Sequence, residues 1–232
     1  MRIFYGDQDG NIQKAQLVTA GITFKWSQLV GNGNQPANPI ITGAGVGGGG
    51  GVGVGALFRI PFAGGSTILG STDSPTWNAI EIAGNKVVVG SNKGSLYIED
   101  EVFPSSGAGK LTAAATLSGA VTGAPAFGSD QTLHIASSDK KLFVRDAAGA
   151  ALWDADLGAA SYSSPALDCA RDSNGQKISA PGVVYVGADD GFLYAFVTDS
   201  HGLDTTSPWP KFHRDPKNRA NTAYPLAEFE CP

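Results

Sequence analysis

Three oxygen-bearing side chains near the start of the chain have the spacing of a calcium loop. Asp7, Asp9 and Asn11 occupy alternate positions, and side chains at alternate positions can direct oxygen atoms at one hard cation. An EF-hand loop also has a glycine at its sixth position and a glutamate at its twelfth, and the sequence has neither residue there. The segment therefore has two interpretations, a calcium site and a hairpin turn with solvated carboxylates.

A basic cluster lies near the other end of the chain. Its cationic residues Lys211, His213 and Arg214 are interleaved with the aromatic residues Trp209 and Phe212. Arginine and aromatic side chains are enriched at contact surfaces, so the cluster indicates a docking site for an acidic protein or a polysaccharide. The alternative is that this segment packs across the fold and pairs its charges with carboxylates of neighbouring loops.

No residues have the arrangement that catalysis needs. The sequence contains no GxSxG, HExxH or Walker motif, and His134 lies in a strand-like segment, where a packed histidine is more common than a metal ligand. The stretch GVGGGG, residues 45–50, fits the dinucleotide fingerprint, but the glycines and Pro61 that follow prevent the helix that would bind a pyrophosphate. We therefore expect a protein that is not an enzyme and that holds no cofactor beyond the calcium considered above.

Cys169 and Cys231 are the two cysteines of the chain. Their separation excludes a CxxC redox pair, and two cysteines cannot build a four-cysteine zinc site. Two interpretations remain. The first is a pair of buried thiols, and the second is a disulfide joining the C-terminal segment to the insert at residues 168–182, worth roughly 4 kcal/mol in the chain-entropy model.

The composition is that of a turn-rich β protein. Charged residues make up 16% of the 232 residues and glycine accounts for 32 of them, whereas soluble domains usually have about 25% charged residues. The net charge of −5 argues against nucleic acid as a partner, because a nucleic-acid binder carries a basic surface. No apolar run reaches the roughly 18 residues of a membrane-spanning helix, and the first residues lack the apolar core of a signal peptide.

A repeated pattern supplies the elements that would position these side chains. Each copy has an apolar strand end, a small residue, a polar turn and a strand that starts with Leu or Ile, and turns such as Asp190-Gly191 supply the positive φ that hairpins need. In the second copy, Gly48, Gly49 and Gly50 take the place of strand residues rather than of a linker. The small residues of the five copies are spaced by 39 to 51 positions: Gly6, Gly51, Gly90, Ala136 and Gly187.

A unit of about 45 residues with four short strands is typical of a β-propeller blade. We therefore predict an all-β fold, a single β-propeller domain of four-stranded antiparallel blades, five of them visible in the chain; the alternative is a β-sandwich. The ring either closes with five blades, with residues 221–229 as the innermost strand of the first, or forms the C-terminal part of a larger propeller. The predicted repeats span residues 1–36, 37–75, 76–120, 121–161 and 162–208, and residues 209–232 form a closing tail.

The segments SYSSPALD (161–168) and GVVYVGADDGFLYAFVTD (182–199) resemble the repeat of the quinoprotein-like, or pyrroloquinoline quinone repeat, β-propeller family. The tail WPKFHRDPKNRAN (209–221) is similar to the closing segment that follows the last repeat in bacterial members. The resemblance implies a propeller that a bacterium exports, in the periplasm or outside the cell.

The resemblance also bears on function. The enzymes of the family bind pyrroloquinoline quinone with calcium, so a pyrroloquinoline quinone-dependent dehydrogenase is one alternative. Their vicinal cysteine pair and full tryptophan-docking motif are absent from this sequence, which favours the non-enzymatic relatives, scaffolds for binding or assembly such as the lipoprotein that assists outer-membrane β-barrel assembly. The expected partner is then a protein or a polysaccharide. Because YGDQDGNIQK, residues 5–14, is similar to a blade motif of pilus-tip adhesins, a fragment of a pilus-tip or surface adhesin is the second alternative.

Overall fold

The computed structural model describes residues 2–6, 11–18, 21–29, 40–41, 45–50, 56–61, 67–74, 76, 81–84, 86–100 and 109–232. Short segments with apolar residues at alternate positions form strands there, because alternation buries one face of a sheet. In chain order, the strands are β1 (Arg2–Gly6), β2 (Asn11–Val18), β3 (Gly21–Leu29), β4 (Ile40–Ile41), β5 (Gly45–Gly50), β6 (Ala56–Pro61), β7 (Thr67–Ser71), β8 (Glu81–Ala83), β9 (Lys86–Gly90), β10 (Ser95–Asp100), β11 (Gly109–Lys110), β12 (Ala115–Thr116), β13 (Ala126–Phe127), β14 (Leu133–Ser137), β15 (Lys141–Arg145), β16 (Ala151–Asp156), β17 (Ala166–Asp168), β18 (Val183–Gly187) and β19 (Leu193–Val197).

These strands form five sheets. Sheet 1 has the order β1-β2-β3, sheet 2 the order β11-β7-β6-β5-β4, sheet 3 the order β12-β10-β9-β8, sheet 4 the order β13-β14-β15-β16, and sheet 5 the order β17-β18-β19. Neighbouring strands are antiparallel except β11, which is parallel to β7. The fold is therefore all-β.

The number of strands differs from the four per sheet that the repeat predicts. Counted over the described residues, sheets 3 and 4 have four strands, but sheets 1 and 5 have three and sheet 2 has five. Sheet 2 gains β11, because Gly109 and Lys110 pair with the outer strand of that sheet before the chain reaches β12. Among the described residues, sheet 5 ends at three strands because the segment that follows β19 pairs with Gly128 and Ile82 instead of returning beside β19.

The glycine-rich strand β5 is held by its backbone. Its residues 48–50 pair with residues 56–58 of β6, and its first half pairs with β4. This pairing confirms that Gly48, Gly49 and Gly50 belong to a strand rather than to a linker. Such a strand is intrinsically weak, because glycine has no side chain to pack.

The chain that follows sheet 5 runs along the edges of sheets 3 and 4. Leu203 forms an antiparallel bridge with Gly128, directly after β13, and Trp209 forms one with Ile82 of β8. Phe127 of β13 also donates its N–H to the carbonyl of Pro210. This segment therefore provides hydrogen-bond partners to strands that would otherwise end their sheets.

The C-terminal segment does not contain the closing strand that the sequence predicts. Leu226–Phe229 is a 3₁₀ helix, and residues 222–224 form a turn and a bend. The carbonyls of Asn221 and Tyr224 accept hydrogen bonds from the guanidinium of Arg214, so they are not available to a neighbouring strand. Of the two ring alternatives, the one in which residues 221–229 complete the first blade is therefore wrong.

Sheets 3, 4 and 5 stack face to face. In β14, Leu133 and Ile135 pack against sheet 3, whereas Ala136 packs against sheet 5. The core between sheets 3 and 4 consists of Val88, Leu96, Leu117, Val121, Phe127, Leu133, Ile135 and Phe143. The core between sheets 4 and 5 consists of Ala126, Ala136, Leu142, Val144, Leu157, Leu167, Val184, Val186 and Leu203.

Candidate functional site

Three of the five residues of the predicted docking cluster are buried. Phe212 and His213 are exposed and stack with their ring centroids 3.9 Å apart, whereas Trp209, Lys211 and Arg214 are covered. Trp209 packs in the hydrophobic cluster on the face of sheet 3 that points away from sheet 4. Of the five residues of the predicted docking cluster, the stacked pair Phe212 and His213 is therefore the part that is exposed.

The buried cations of the cluster bind backbone carbonyls of their own loop. Lys211 Nζ donates to the carbonyls of Phe212 at 2.5 Å and Asp215 at 3.1 Å, and to Oδ1 of Asn218 at 2.9 Å. Arg214 donates to the carbonyls of Pro208, Asn221 and Tyr224. These contacts correct the prediction of a docking site at Trp209, Lys211 and Arg214, because the three side chains hold the tail in place instead of facing a partner.

Glu81, the first residue of β8, is a buried carboxyl group. Neither of its oxygens has a hydrogen-bond partner among the described residues, and burial raises its pKa well above the usual range, against the opposing charge of Lys211. Burial also lowers the pKa of Lys211. We assign the proton to Glu81 and the charge to Lys211, because the ammonium has three acceptors and the carboxyl group has no donor.

His134 is a packed histidine. Its side chain is fully buried on β14, with Nε2 2.8 Å from Oγ1 of Thr198, and its ring meets Trp153 edge to face. Burial lowers the pKa of His134 to about 4. The imidazole is therefore neutral at physiological pH and joins β14 to the chain that leaves sheet 5.

The proposed calcium loop lies largely outside the described residues. Asp7 and Asp9 are not among them, and Asn11 is described only as the first residue of β2. Within the described ranges, no group of three or more His, Cys, Asp or Glu side chains could hold a metal ion. The related turn at Asp190 shows the hairpin chemistry, because its carboxylate accepts hydrogen bonds from the N–H of Phe192 and the hydroxyl of Tyr194.

Cys169 and Cys231 form a disulfide, with their Cα atoms 5.4 Å apart. It joins the loop that follows β17 to the end of the chain. Next to it, Lys177 Nζ donates to the carbonyls of Glu228 and Glu230. The covalent bond and these hydrogen bonds together fix the C-terminal segment against the insert at residues 168–182.

A cleft of about 430 Å³ lies between this pinned segment and sheet 5. Its charges pair with one another: Arg171 with Asp168, and Lys217 with Glu228. The remaining lining residues are Ala166, Leu167, Lys177, Tyr185, Leu203, Pro216 and Phe229. The described residues of this cleft supply an aromatic and aliphatic surface rather than a nucleophile with its base.

One face of sheet 5 is apolar and uncovered. Leu193 is 70% exposed and Val197 is 72% exposed, and the neighbouring Phe192 is 67% exposed. The leucines at the same place in the repeat, Leu96 and Leu142, are 0% exposed, because each packs against the next sheet along the chain. Sheet 5 thus exposes the face that corresponds to the one sheets 3 and 4 each bury against the next sheet along the chain.

The strand at the edge of this face, β19, also has free backbone groups. Ala188 N–H donates to the carbonyl of Phe192, and Thr198 N–H donates to the carbonyl of Gly182. Because hydrogen-bonded and non-bonded pairs alternate in an antiparallel ladder, the N–H and C=O groups of the alternate residues point away from β18. In the part of the chain that the structure describes, these groups have no partner; they belong to Leu193, Ala195 and Val197.

Comparison with known proteins identifies similar folds but no family. No protein-family model matches the chain, and none of the curated proteins does either. The computationally designed protein Ika8 is 17% identical, with a TM-score of 0.58 over 87% of this chain and 57% of its own. Sqt1 of Chaetomium thermophilum, solved bound to the N-terminus of the ribosomal protein L10, is 15% identical, with a TM-score of 0.61 over 85% of this chain and 56% of its own.

The chain has a propeller-like fold. At these identities the likeness concerns the fold alone. The chain spans a little over half the length of both solved structures. Among the described residues, we find no helix with the length and apolar character needed to cross a membrane.

The sequence carries a signal for the open edge of sheet 5. In the fourth repeat, the segment GAALWDADL (149–157) follows the hairpin and becomes β16. In the fifth repeat, the hairpin is followed by DSHGLDTTSPW (199–209), which has no such alternation. This difference in sequence agrees with the three strands that the described part of the chain contributes to sheet 5.

Proposed function

We propose that this protein is a non-enzymatic β-propeller scaffold that binds another protein. The uncovered apolar face of sheet 5, with Leu193 and Val197 at its centre, carries the proposal. Exposed apolar patches of this kind are uncommon on soluble proteins unless they bind something. The likeness to Sqt1, which was solved with a polypeptide segment bound, agrees with a fold that presents surfaces to proteins.

The propeller arrangement is part of the proposal. Sheets 3, 4 and 5 stack in chain order, as blades do when each buries its faces against its neighbours. The sequence motifs of residues 161–221 support membership of the quinoprotein-like family. The disulfide between Cys169 and Cys231 agrees with export to the bacterial periplasm or beyond, because disulfides persist in oxidising compartments.

The groups that are most often catalytic serve the structure here. His134 is buried and neutral, Lys211 and Arg214 bind loop carbonyls, and Glu81 is buried without a donor. These assignments support a binding role. They also set an expectation for the dehydrogenase alternative: with pyrroloquinoline quinone and calcium added, the protein produces no alcohol- or sugar-dependent dye reduction.

A capture experiment tests the scaffold function. The purified protein is immobilised, and proteins retained from an envelope extract of the source organism are identified by mass spectrometry. We expect a defined partner whose recovery falls about tenfold with Leu193→Asp, because a charge placed in an apolar interface opposes its desolvation. Leu152→Asp is the matched control, since Leu152 is an exposed leucine of sheet 4. A partner recovered equally by both variants would contradict the proposed surface, and so would the absence of any specific partner.

A further inference from the structure

The free edge of β19 has the properties of a strand-addition site. Leu193, Ala195 and Val197 direct their backbone groups to the open side of the sheet, and the same three residues have exposed side chains. A fourth strand at this edge would therefore pair with the backbone and place its own side chains beside the apolar face. Extended peptides bind exposed sheet edges in this way in other proteins.

Comparison with sheet 4 shows how this protein protects an edge that stays open. The outer strand of sheet 4, β16, carries Asp154 and Asp156, which form ion pairs with Arg145 and Lys141. Charged side chains on an edge strand discourage further pairing. The sequence of β19, LYAFV, has no charged residue. The two edges thus differ in the feature that usually prevents strand addition.

The fourth strands of sheets 3 and 4 indicate what fits beside β19. In sheet 4, Trp153 and Ala155 of β16 pack against the core shared with sheet 5, and Leu157 continues that pattern. In sheet 3, Ala115 of β12 and the following Leu117 pack in the same way. A fourth strand in this fold is therefore extended, with apolar residues at alternate positions and a leucine at its end.

We propose that β19 binds an extended segment of a partner protein as a fourth antiparallel strand, whose apolar side chains at alternate positions lie beside Leu193, Ala195 and Val197 on the same face of the sheet. This inference rests on the proposed binding function and specifies how the partner is held. The backbone hydrogen bonds supply the affinity, and the alternate apolar side chains select the segment.

The probe for this site is a fluorescent peptide copied from the chain's own fourth strand. It has the sequence of residues 150–157 with Asp154→Thr and Asp156→Thr, since β19 offers no cation to those carboxylates. We expect saturable binding by fluorescence anisotropy. Two control peptides carry N-methyl groups on opposite sets of alternate residues, and only the set that faces β19 should weaken binding, by about tenfold for the lost hydrogen bonds.

Variants of the protein locate the site. Ala195→Pro removes an N–H that points to the open edge and leaves the ladder with β18 unchanged, so it should weaken peptide binding by about tenfold while the urea midpoint stays near that of the wild type. Leu152→Ser, on the edge of sheet 4, should bind the peptide like the wild type. Amide exchange of Leu193, Ala195 and Val197 in the wild-type protein should slow when the peptide is present, which reports on pairing without any substitution.

Several results would overturn strand addition. These are the absence of saturable binding, equal binding by the two methylated peptides, and a dimer in sedimentation experiments that occupies the edge with a second copy of the chain. If the partner captured through Leu193 is confirmed while the peptide does not bind, the scaffold function stands and the strand-addition mode alone is wrong.

Discussion

At the scale of single residues, burial decides the roles of the charged side chains. Lys211 and Arg214 belong to a sequence cluster of cations and aromatic rings that is equally suited to docking and to packing. The sequence does not distinguish the two, because the acceptors of these cations are backbone carbonyls such as those of Asp215 and Tyr224. Because every residue has a backbone carbonyl, the sequence does not show which carbonyls accept these hydrogen bonds.

Glu81 makes stability depend on pH. Burial raises its pKa in the folded protein above the usual value of 4.5, so between these two values the folded state binds more protons than the unfolded state. The contribution of Glu81 to stability is therefore greatest below about pH 4.5 and falls as pH rises toward the folded pKa, by up to about 1.4 kcal/mol per pH unit. We expect Glu81→Gln to be more stable than the wild type at pH 7 and similar to it near pH 4.5.

Urea unfolding of both proteins at several pH values measures this effect. Subtracting the free energy of unfolding of one protein from that of the other cancels the contributions of the ionisable groups that they share, including His134. Glu230→Gln, at an exposed carboxylate near the end of the chain, is the matched control for the loss of one glutamate. A constant difference between Glu81→Gln and the wild type from pH 4.5 to pH 7 would show that Glu81 is ionised in the folded state.

At the scale of elements, the sequence repeat predicts the positions of the hairpins. It does not predict how the segments that depart from the repeat pair with distant strands. The hairpins of sheets 3, 4 and 5 lie where the small anchor residues Gly90, Ala136 and Gly187 place them. The parallel pairing of β11 with β7 depends on a contact between distant segments, and so does the position of the tail beside β8. Such contacts have no signature in one sequence without homologues.

The disulfide is the element that holds the C-terminal segment. Replacing both cysteines, Cys169→Ser with Cys231→Ser, should lower the free energy of unfolding by about 4 kcal/mol, because the bond closes a loop with a sequence separation of 62. Urea unfolding measures the loss. Dithiothreitol should destabilise the wild type by a similar amount and have no further effect on the double variant. An unchanged urea midpoint in the double variant would mean that the bond contributes nothing to stability.

At the scale of the whole molecule, stacking in chain order leaves sheet 5 with one uncovered face. Sheet 4 is buried on both faces. Phe143 packs on the face toward sheet 3, and Leu142 packs on the face toward sheet 5. The equivalent leucine of sheet 5, Leu193, is 70% exposed. The repeat places a neighbouring sheet on this face, and none of the sheets built from the described residues packs there.

Amide hydrogen exchange of β19, followed by NMR in the free protein, tests the open sheet most directly. If the edge and face are free, the amides of Leu193, Ala195 and Val197 exchange at least about 100-fold faster than those of Tyr194 and Phe196, which bond to β18. Slow exchange at all five amides would contradict the account, because it would show that another part of the chain or a second copy already covers this edge.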